Sequence, residues 1–174
     1  EIIKQGGVNV RTDVQFAALA GAFTSGNGDF VTLFEPTATL AQNANEGYIM
    51  ASLGEQTDKI PYTNFFCNKS YLEENEEIIQ SFTNAIYKGI KYVYSHTPTE
   101  IANVIKNQFT SSKIEELETV IKRYLSIKAW SETTILEKEG YELFLDIMEE
   151  ANELDRRCEY EKIVTTTYSK NAIK

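Results

Sequence analysis

The sequence predicts an α/β fold, in which a parallel sheet with flanking helices is followed by a mainly helical part. Two observations lead to this prediction. Short apolar runs alternate with helix-like segments as far as Pro61, and long patterns with a period of 3.6 residues take over beyond it. A compact chain of 174 residues buries roughly 70% of its unfolded surface, which is enough for a sizeable core. We expect the sheet within residues 8–53 and helices from residue 74 onward.

The first part is read from strand and helix signals in chain order. Residues 30–34 are mostly apolar, as in a strand that a parallel sheet covers on both faces. Pro36 then closes this strand and begins a helix, with Thr37 beside it as a candidate helix cap. The remaining predicted elements of this part are strands at 8–10 and 48–54 and helices from Thr12 and from Thr37 to Glu46.

Glu35 is the first candidate for a binding site, because it follows a predicted strand and precedes a helix. Open α/β sheets bind their ligands at such loops, at the carboxyl ends of parallel strands. The carboxylate is either a recognition group or an ordinary solvated side chain of the loop. The motif alone leaves both interpretations open.

The second part shows long amphipathic patterns. They predict a helix from Glu74 to His96, a helix start at Thr97-Pro98, and further helices over 114–125 and 141–154. Cys67 and Cys158 are too few for a disulfide framework.

The order of these segments resembles the second half of a periplasmic-type solute-binding protein of an ABC importer. The resemblance rests on a small-residue helix at 14–23, the Gly-Asp turn before residue 30, Glu35-Pro36, a helix closed by Gly47, and Pro61-Tyr62. Segments 71–75 and 163–169 are similar to the tail of that family. The nearest group is the nitrate/sulfonate/taurine and thiamine-precursor binding proteins. The fold that the resemblance implies is that of the type II periplasmic binding proteins.

The resemblance also implies how the chain is divided. Residues 1–61 would form part of the second α/β lobe, residues 62–66 a hinge or crossover strand, and residues 67–174 a mainly helical part that belongs to the first lobe. The chain would then be a piece of a two-lobed protein, with the rest of the first lobe upstream. Because such a piece would expose apolar surface, we expect it to self-associate.

Family members close two lobes on a small solute and deliver it to a membrane permease. The resemblance therefore implies an extracytoplasmic protein, either periplasmic or lipid-anchored on the cell surface. Two alternatives stay open: an enzyme on the same scaffold related to thiamine-pyrimidine synthesis, and the effector-sensing domain of a transcription regulator. An upstream lipobox or signal peptide, a His/Cys cluster, or a helix-turn-helix would distinguish the three.

Composition narrows the classes of function. The chain has 17 basic and 26 acidic residues and no basic cluster, which argues against nucleic acid and anionic membrane as partners. His96 is the only histidine, and one His with two separated Cys does not make a zinc site of the usual spacing. No P-loop or nucleophile-elbow motif occurs. We therefore expect a binding protein and not an enzyme, with no cofactor and no metal.

Two aromatic residues complete the predicted ligand-binding set. Tyr62, on the expected hinge strand, either faces the cleft or wedges between the lobes. Trp130, the only tryptophan, lies between two predicted helices. It either packs over a helix pair or stacks on a ligand. The full predicted set is Glu35, Pro36, Thr37, Tyr62 and Trp130.

Glu35 also determines the predicted class of solute. A buried carboxylate costs free energy unless it meets a donor or a cation, so a simple oxyanion such as nitrate is disfavoured. An amino-bearing heteroaromatic solute of the thiamine-pyrimidine kind would bind the carboxylate and stack on Tyr62 or Trp130. An aminosulfonate such as taurine comes next, since its ammonium group could also meet Glu35.

Overall fold

The computed structural model describes residues 7–57 and 59–174. The α-helices of this described part are α1 (Leu19–Thr24), α2 (Thr37–Asn43), α3 (Leu53–Gln56), α4 (Lys69–Glu74), α5 (Glu76–Ser95), α6 (Pro98–Ile105), α7 (Ile114–Ser126), α8 (Lys138–Glu150), α9 (Tyr160–Ile163) and α10 (Thr167–Ile173). Short 3-10 helices occupy Phe16–Ala18 and Lys106–Gln108. None of the described helices is both long enough and apolar enough to cross a membrane.

The predicted parallel sheet with flanking helices is wrong for the described residues, which contain no strand and are 56% helical. The segments at 8–10, 29–34 and 48–52 are irregular, and Phe30 and Tyr48 are more than four-fifths exposed. A strand forms only where a second segment supplies hydrogen bonds across a ladder, and its side chains need a surface on which to pack. The apolar pattern of these segments is a local property of the sequence. Strand pairing depends on a second, distant segment, and no other described segment pairs with them.

The helical part agrees with the sequence more closely, because its signals are local. The predicted helices at 74–96 and 114–125 are present as α5 and α7. Thr97 begins α6 with a capping box: its Oγ1 accepts a hydrogen bond from Glu100 N at 3.3 Å, and the Glu100 carboxylate accepts one from Thr97 N at 2.8 Å. Pro98 occupies the first turn, where a missing N–H costs nothing.

The first part contains shorter helices than predicted. The helix expected from Thr12 begins only at Phe16, as a 3-10 turn that continues into α1. Helix α2 begins at Thr37 as predicted but ends at Asn43. Asn45, with φ of 60°, takes the left-handed conformation after the helix end, where Gly47 was expected to close it. Asparagine tolerates this conformation better than most residues, so the helix ends early.

The hydrophobic core lies between α6 and α7. Ile101 and Ala102 of α6 pack against Leu117 and Ile121 of α7, and all four are almost fully buried. Partly buried side chains from α5, from the ends of α6 and α7, and from the segment after α7 pack against this core: Tyr92, Val93, Ile105, Ile114, Leu125 and Trp130. The capping box begins α6, and the apolar face of α7 packs on α6. Both features therefore stabilise the same pair of helices.

Other pairs of helices are also in contact. Helix α10 packs along α5, and α9 contacts α8, where the Tyr141 hydroxyl donates a hydrogen bond to the carbonyl of Cys158 at 2.6 Å. Helix α2 contacts α7. This last contact brings the loop that carries Glu35 against the C-terminal half of α7. The division into lobes at 1–61, 62–66 and 67–174 stays a prediction.

The described structure exposes a large surface. Its accessible area is 13348 Å², about one and a half times the roughly 8600 Å² expected for a compact monomer of 19.8 kDa. Large apolar side chains before α4 contribute to this excess: Phe30, Tyr48, Met50 and Phe66 are between 77% and 97% exposed. The sequence thus supplies more apolar surface in residues 7–68 than the described helices bury.

Candidate functional site

Glu35 lies just before α2, and its carboxylate is only 8% exposed. Its Oε2 accepts a hydrogen bond from the backbone N–H of Thr39 at 3.0 Å, so the carboxylate caps the first turn of α2. Its Oε1 lies 2.9 Å from Nη1 of Arg123 on α7. The side chain therefore joins a helix cap to an ion pair between residues that are 88 positions apart.

Arg123 contributes a donor that is shared by two acceptors. Nη1 binds Glu35 and also donates to Oγ1 of Thr39 at 2.5 Å, and Thr39 is only 1% exposed. The Arg123 side chain is 33% exposed, so this half of the ion pair is the one that faces solvent. Within the described part of the chain, Nε and Nη2 of Arg123 have no hydrogen-bond partner.

Tyr124 holds the backbone of the same loop. Its hydroxyl oxygen accepts a hydrogen bond from the N–H of Glu35 at 3.1 Å. Burial raises the pKa of the Tyr124 phenol, and the negative charge of Glu35 also raises it, while the Glu35 N–H bond acts in the opposite direction. The phenol therefore stays neutral at physiological pH. We call Glu35, Thr39, Arg123 and Tyr124 the Glu35 cluster.

Three exposed aromatic rings lie in a row, and the middle one belongs to Phe34, the residue before Glu35. The Phe34 ring centroid is 5.6 Å from that of Phe16 and 5.0 Å from that of Tyr62. All three side chains are between 46% and 76% exposed. We call Phe16, Phe34 and Tyr62 the aromatic row. Its rings offer a surface on which a planar group can stack, next in sequence to a buried carboxylate.

The structure places the five predicted site residues around this region in different ways. Tyr62 contacts Phe34, and the Trp130 ring lies edge-on to Tyr124 at 5.4 Å while it also packs on the α6–α7 core. Pro36 and Thr37 lead into α2, but Thr37 is its exposed first residue and not its cap. The capping group is the Glu35 carboxylate. The ligand-binding roles of all five residues stay predictions.

Sequence reasoning missed Thr39, Arg123 and Tyr124. One signal could have found Arg123. It lies beside the buried face of α7, which includes Leu117, Val120 and Ile121, and a cation at the edge of a buried face calls for a carboxylate partner. The identity of that partner could not be read from the sequence, because it depends on how α2 packs against α7.

Other chemistry in the described residues is sparse. They contain no group of three or more His, Cys, Asp or Glu side chains that could hold a metal ion. His96 lies at the end of α5, with Nδ1 3.0 Å from the carbonyl oxygen of Tyr92 and its ring stacked on that tyrosine. This is a helix-end position.

Similarity to known proteins indicates the family to which the chain belongs. A family model described as NMT1/THI5 like matches residues 1–101. A protein of Bacillus subtilis (strain 168) named "Putative binding protein YtlA" is 36% identical over 157 residues, which is 90% of this chain and 47% of the relative. The chain thus spans about half the length of that relative. No solved structure matches the chain significantly.

The family match divides the Glu35 cluster. Glu35 and Thr39 lie inside the matched residues, whereas Arg123, Tyr124 and Trp130 lie beyond them. The relative matches 90% of the chain and is named a binding protein, which agrees with the resemblance to solute-binding proteins seen in the sequence. The chain belongs to the NMT1/THI5-like family and is related within it to solute-binding proteins.

Proposed function

We propose that this chain is part of a protein that binds a small amino-bearing organic solute at the Glu35 cluster and the aromatic row. One observation carries the proposal: a buried carboxylate, fixed by two hydrogen bonds, follows directly in sequence on a residue of the exposed aromatic row. Solute sites combine a few well-placed polar groups with apolar or aromatic walls, and these two features supply both. The relative named a binding protein supports a solute-binding role independently of this geometry.

The chemistry of the site favours an amino group on the solute. A carboxylate has about four acceptor positions, and Thr39 N and Arg123 Nη1 use two of those on Glu35. An amino group could donate to the remaining ones. A planar solute could at the same time stack on Phe34 or Tyr62, with Pro36 and Thr37 at the edge of the site and Trp130 supporting Tyr124. The solute classes that fit are an amino-bearing heteroaromatic molecule and an aminosulfonate.

The cellular role that we propose is that of the solute-binding component of an ABC importer. Such a component works outside the cytoplasm, in the periplasm or lipid-anchored on the cell surface, and delivers its solute to a permease in the membrane. Family membership and the name of the relative support this role. Because the chain spans about half of that relative, the role belongs to the longer polypeptide that contains these residues.

An enzyme on the same scaffold is the second candidate, because the NMT1/THI5-like family also includes an enzyme. The two functions differ in what happens to the bound solute. A binding protein returns it unchanged, whereas an enzyme converts it. Incubation with each solute tested below, followed by NMR of the small molecule, distinguishes them: loss of the starting resonances would favour the enzyme.

The test of the proposed function is a binding screen with matched variants. In the full natural polypeptide that contains these residues, thermal shift and calorimetry should detect 4-aminopyrimidine derivatives or taurine, and not nitrate. Glu35→Gln should weaken the best solute by about tenfold or more, since it removes a charge-assisted hydrogen bond. Glu46→Gln, at an exposed position after α2, should leave binding unchanged. Binding of nitrate alone, unaffected by Glu35→Gln, would contradict the proposal.

A further inference from the structure

We propose that Arg123 is a specificity-determining residue, which restricts the amino-bearing solute to one that also carries an acidic group. The inference rests on the proposed function and deepens it. It concerns a residue outside the segment that the family model matches. It follows from three observations: the charge state of the Glu35 cluster, the unused donors of Arg123, and the exposure of Glu35 and Arg123.

The first step is charge. Glu35 and Arg123 form an ion pair at 2.9 Å, and no other charged group pairs with either residue in the described part of the chain. The pair is therefore neutral as a unit. A solute that carries only a positive charge gains little from such a pair, because Arg123 already neutralises the carboxylate and repels a second cation.

The second step is the direction in which the pair is open. Glu35 is 8% exposed and both of its oxygens accept hydrogen bonds, whereas Arg123 is 33% exposed and uses only Nη1. The guanidinium group has five N–H donors in a planar fork that matches carboxylate, sulfonate or phosphate oxygens. The more accessible groups of the pair that make no hydrogen bond are therefore N–H donors of the positively charged Arg123.

The third step combines the two halves. An amino group on the solute can use the remaining acceptor positions of Glu35, and an acidic group can use Nε and Nη2 of Arg123. A solute with both groups has charge complementarity to both partners. A solute with only one of them leaves the other partner unmatched, which lowers its affinity. The site therefore selects zwitterionic or amino-acidic small molecules over simple amines.

Matched pairs of small molecules test this inference, because each pair differs only in the acidic group. The pairs are taurine against ethylamine, and 4-aminopyrimidine-5-carboxylate against 4-aminopyrimidine. Calorimetry on the full natural polypeptide should give at least about a tenfold preference for the acidic member of at least one pair. Equal affinity for the two members within each of the two pairs would overturn the role of Arg123 while leaving the proposed amino-solute function intact.

Two variants of Arg123 separate recognition from folding. Arg123→Gln should abolish the preference for the acidic member. Arg123→Lys should keep the ion pair and the folded state but reduce the preference, since an ammonium group lacks the planar fork. An unchanged preference in Arg123→Lys and in a folded Arg123→Gln would overturn the inference. If neither member of either pair binds the unmodified protein, the proposed function itself is contradicted, and the inference falls with it.

Discussion

Replacing Arg123 by alanine should destabilise the chain more than replacing Glu35 by glutamine, because the carboxylate is the more deeply buried partner. Removing one partner of a buried pair costs about 3–5 kcal/mol, whereas exposed pairs contribute about 0–1 kcal/mol. Since Arg123 is one-third exposed, water weakens its interaction with Glu35, and we expect a loss of about 2 kcal/mol for Arg123→Ala. Glu35→Gln leaves an acceptor for Thr39 N and a cation that water can reach, so we expect about 1 kcal/mol.

The assay is urea unfolding followed by far-ultraviolet circular dichroism at neutral pH. With a slope of about 2 kcal/mol per molar urea, Arg123→Ala should lower the midpoint by about 1 M. Lys122→Ala, at the exposed neighbouring position on α7, is the matched control and should leave the midpoint almost unchanged. In the double variant the two costs should not add, with a coupling of about 1 kcal/mol. Equal midpoints for Arg123→Ala and Lys122→Ala, or a larger loss for Glu35→Gln, would refute this reasoning.

Three further predictions concern the rest of the chain. Thr97→Ala should cost about 1 kcal/mol by removing the cap of α6. The hydrogen bonds that Thr97 N and Thr97 Oγ1 donate to the Glu100 carboxylate both lower the pKa of Glu100, so the unmodified chain should lose stability as pH falls through that lowered pKa. Thr97→Ala keeps the bond from the backbone N–H and loses the one from Oγ1, so it should lose less stability in acid, and identical acid unfolding of the two would contradict this. Burial raises the pKa of Tyr141, so stability should be present below about pH 10 and decrease as pH rises through the raised value, and Tyr141→Phe should reduce that alkaline loss; an unchanged alkaline profile would count against it. The exposed apolar surface before α4 should make the 174-residue chain self-associate, which light scattering would show as a concentration-dependent mass; a strictly monomeric chain at all concentrations would exclude it.

How far the sequence predicts this structure depends on the range over which each signal acts. Helices α5, α6 and α7 were predictable because caps and apolar periodicity lie within the helix itself, as Thr97-Pro98 shows. The strands expected at 30–34 and 48–54 are absent from the described structure because a strand needs a partner that no local pattern supplies.

The candidate site follows the same division. Glu35 and Tyr62 could be singled out from their place in the sequence, next to a predicted strand end and in a predicted hinge. Arg123 could not be paired with Glu35, because 88 residues separate them and only the packing of α2 on α7 joins them. The sequence therefore predicted a carboxylate that needs a partner, and the structure identifies that partner as a residue of the chain itself.

The position of Trp130 has an optical consequence. It is the only indole in the chain, so intrinsic fluorescence excited at the red edge of the tryptophan band comes from one known place. Its ring lies edge-on to Tyr124, whose hydroxyl is bonded to the Glu35 backbone, and its carbonyl accepts a hydrogen bond from Tyr94. A change in the Glu35 loop should therefore reach the fluorophore through one tyrosine. The emission wavelength and quenching of this single residue report on the loop without any added label.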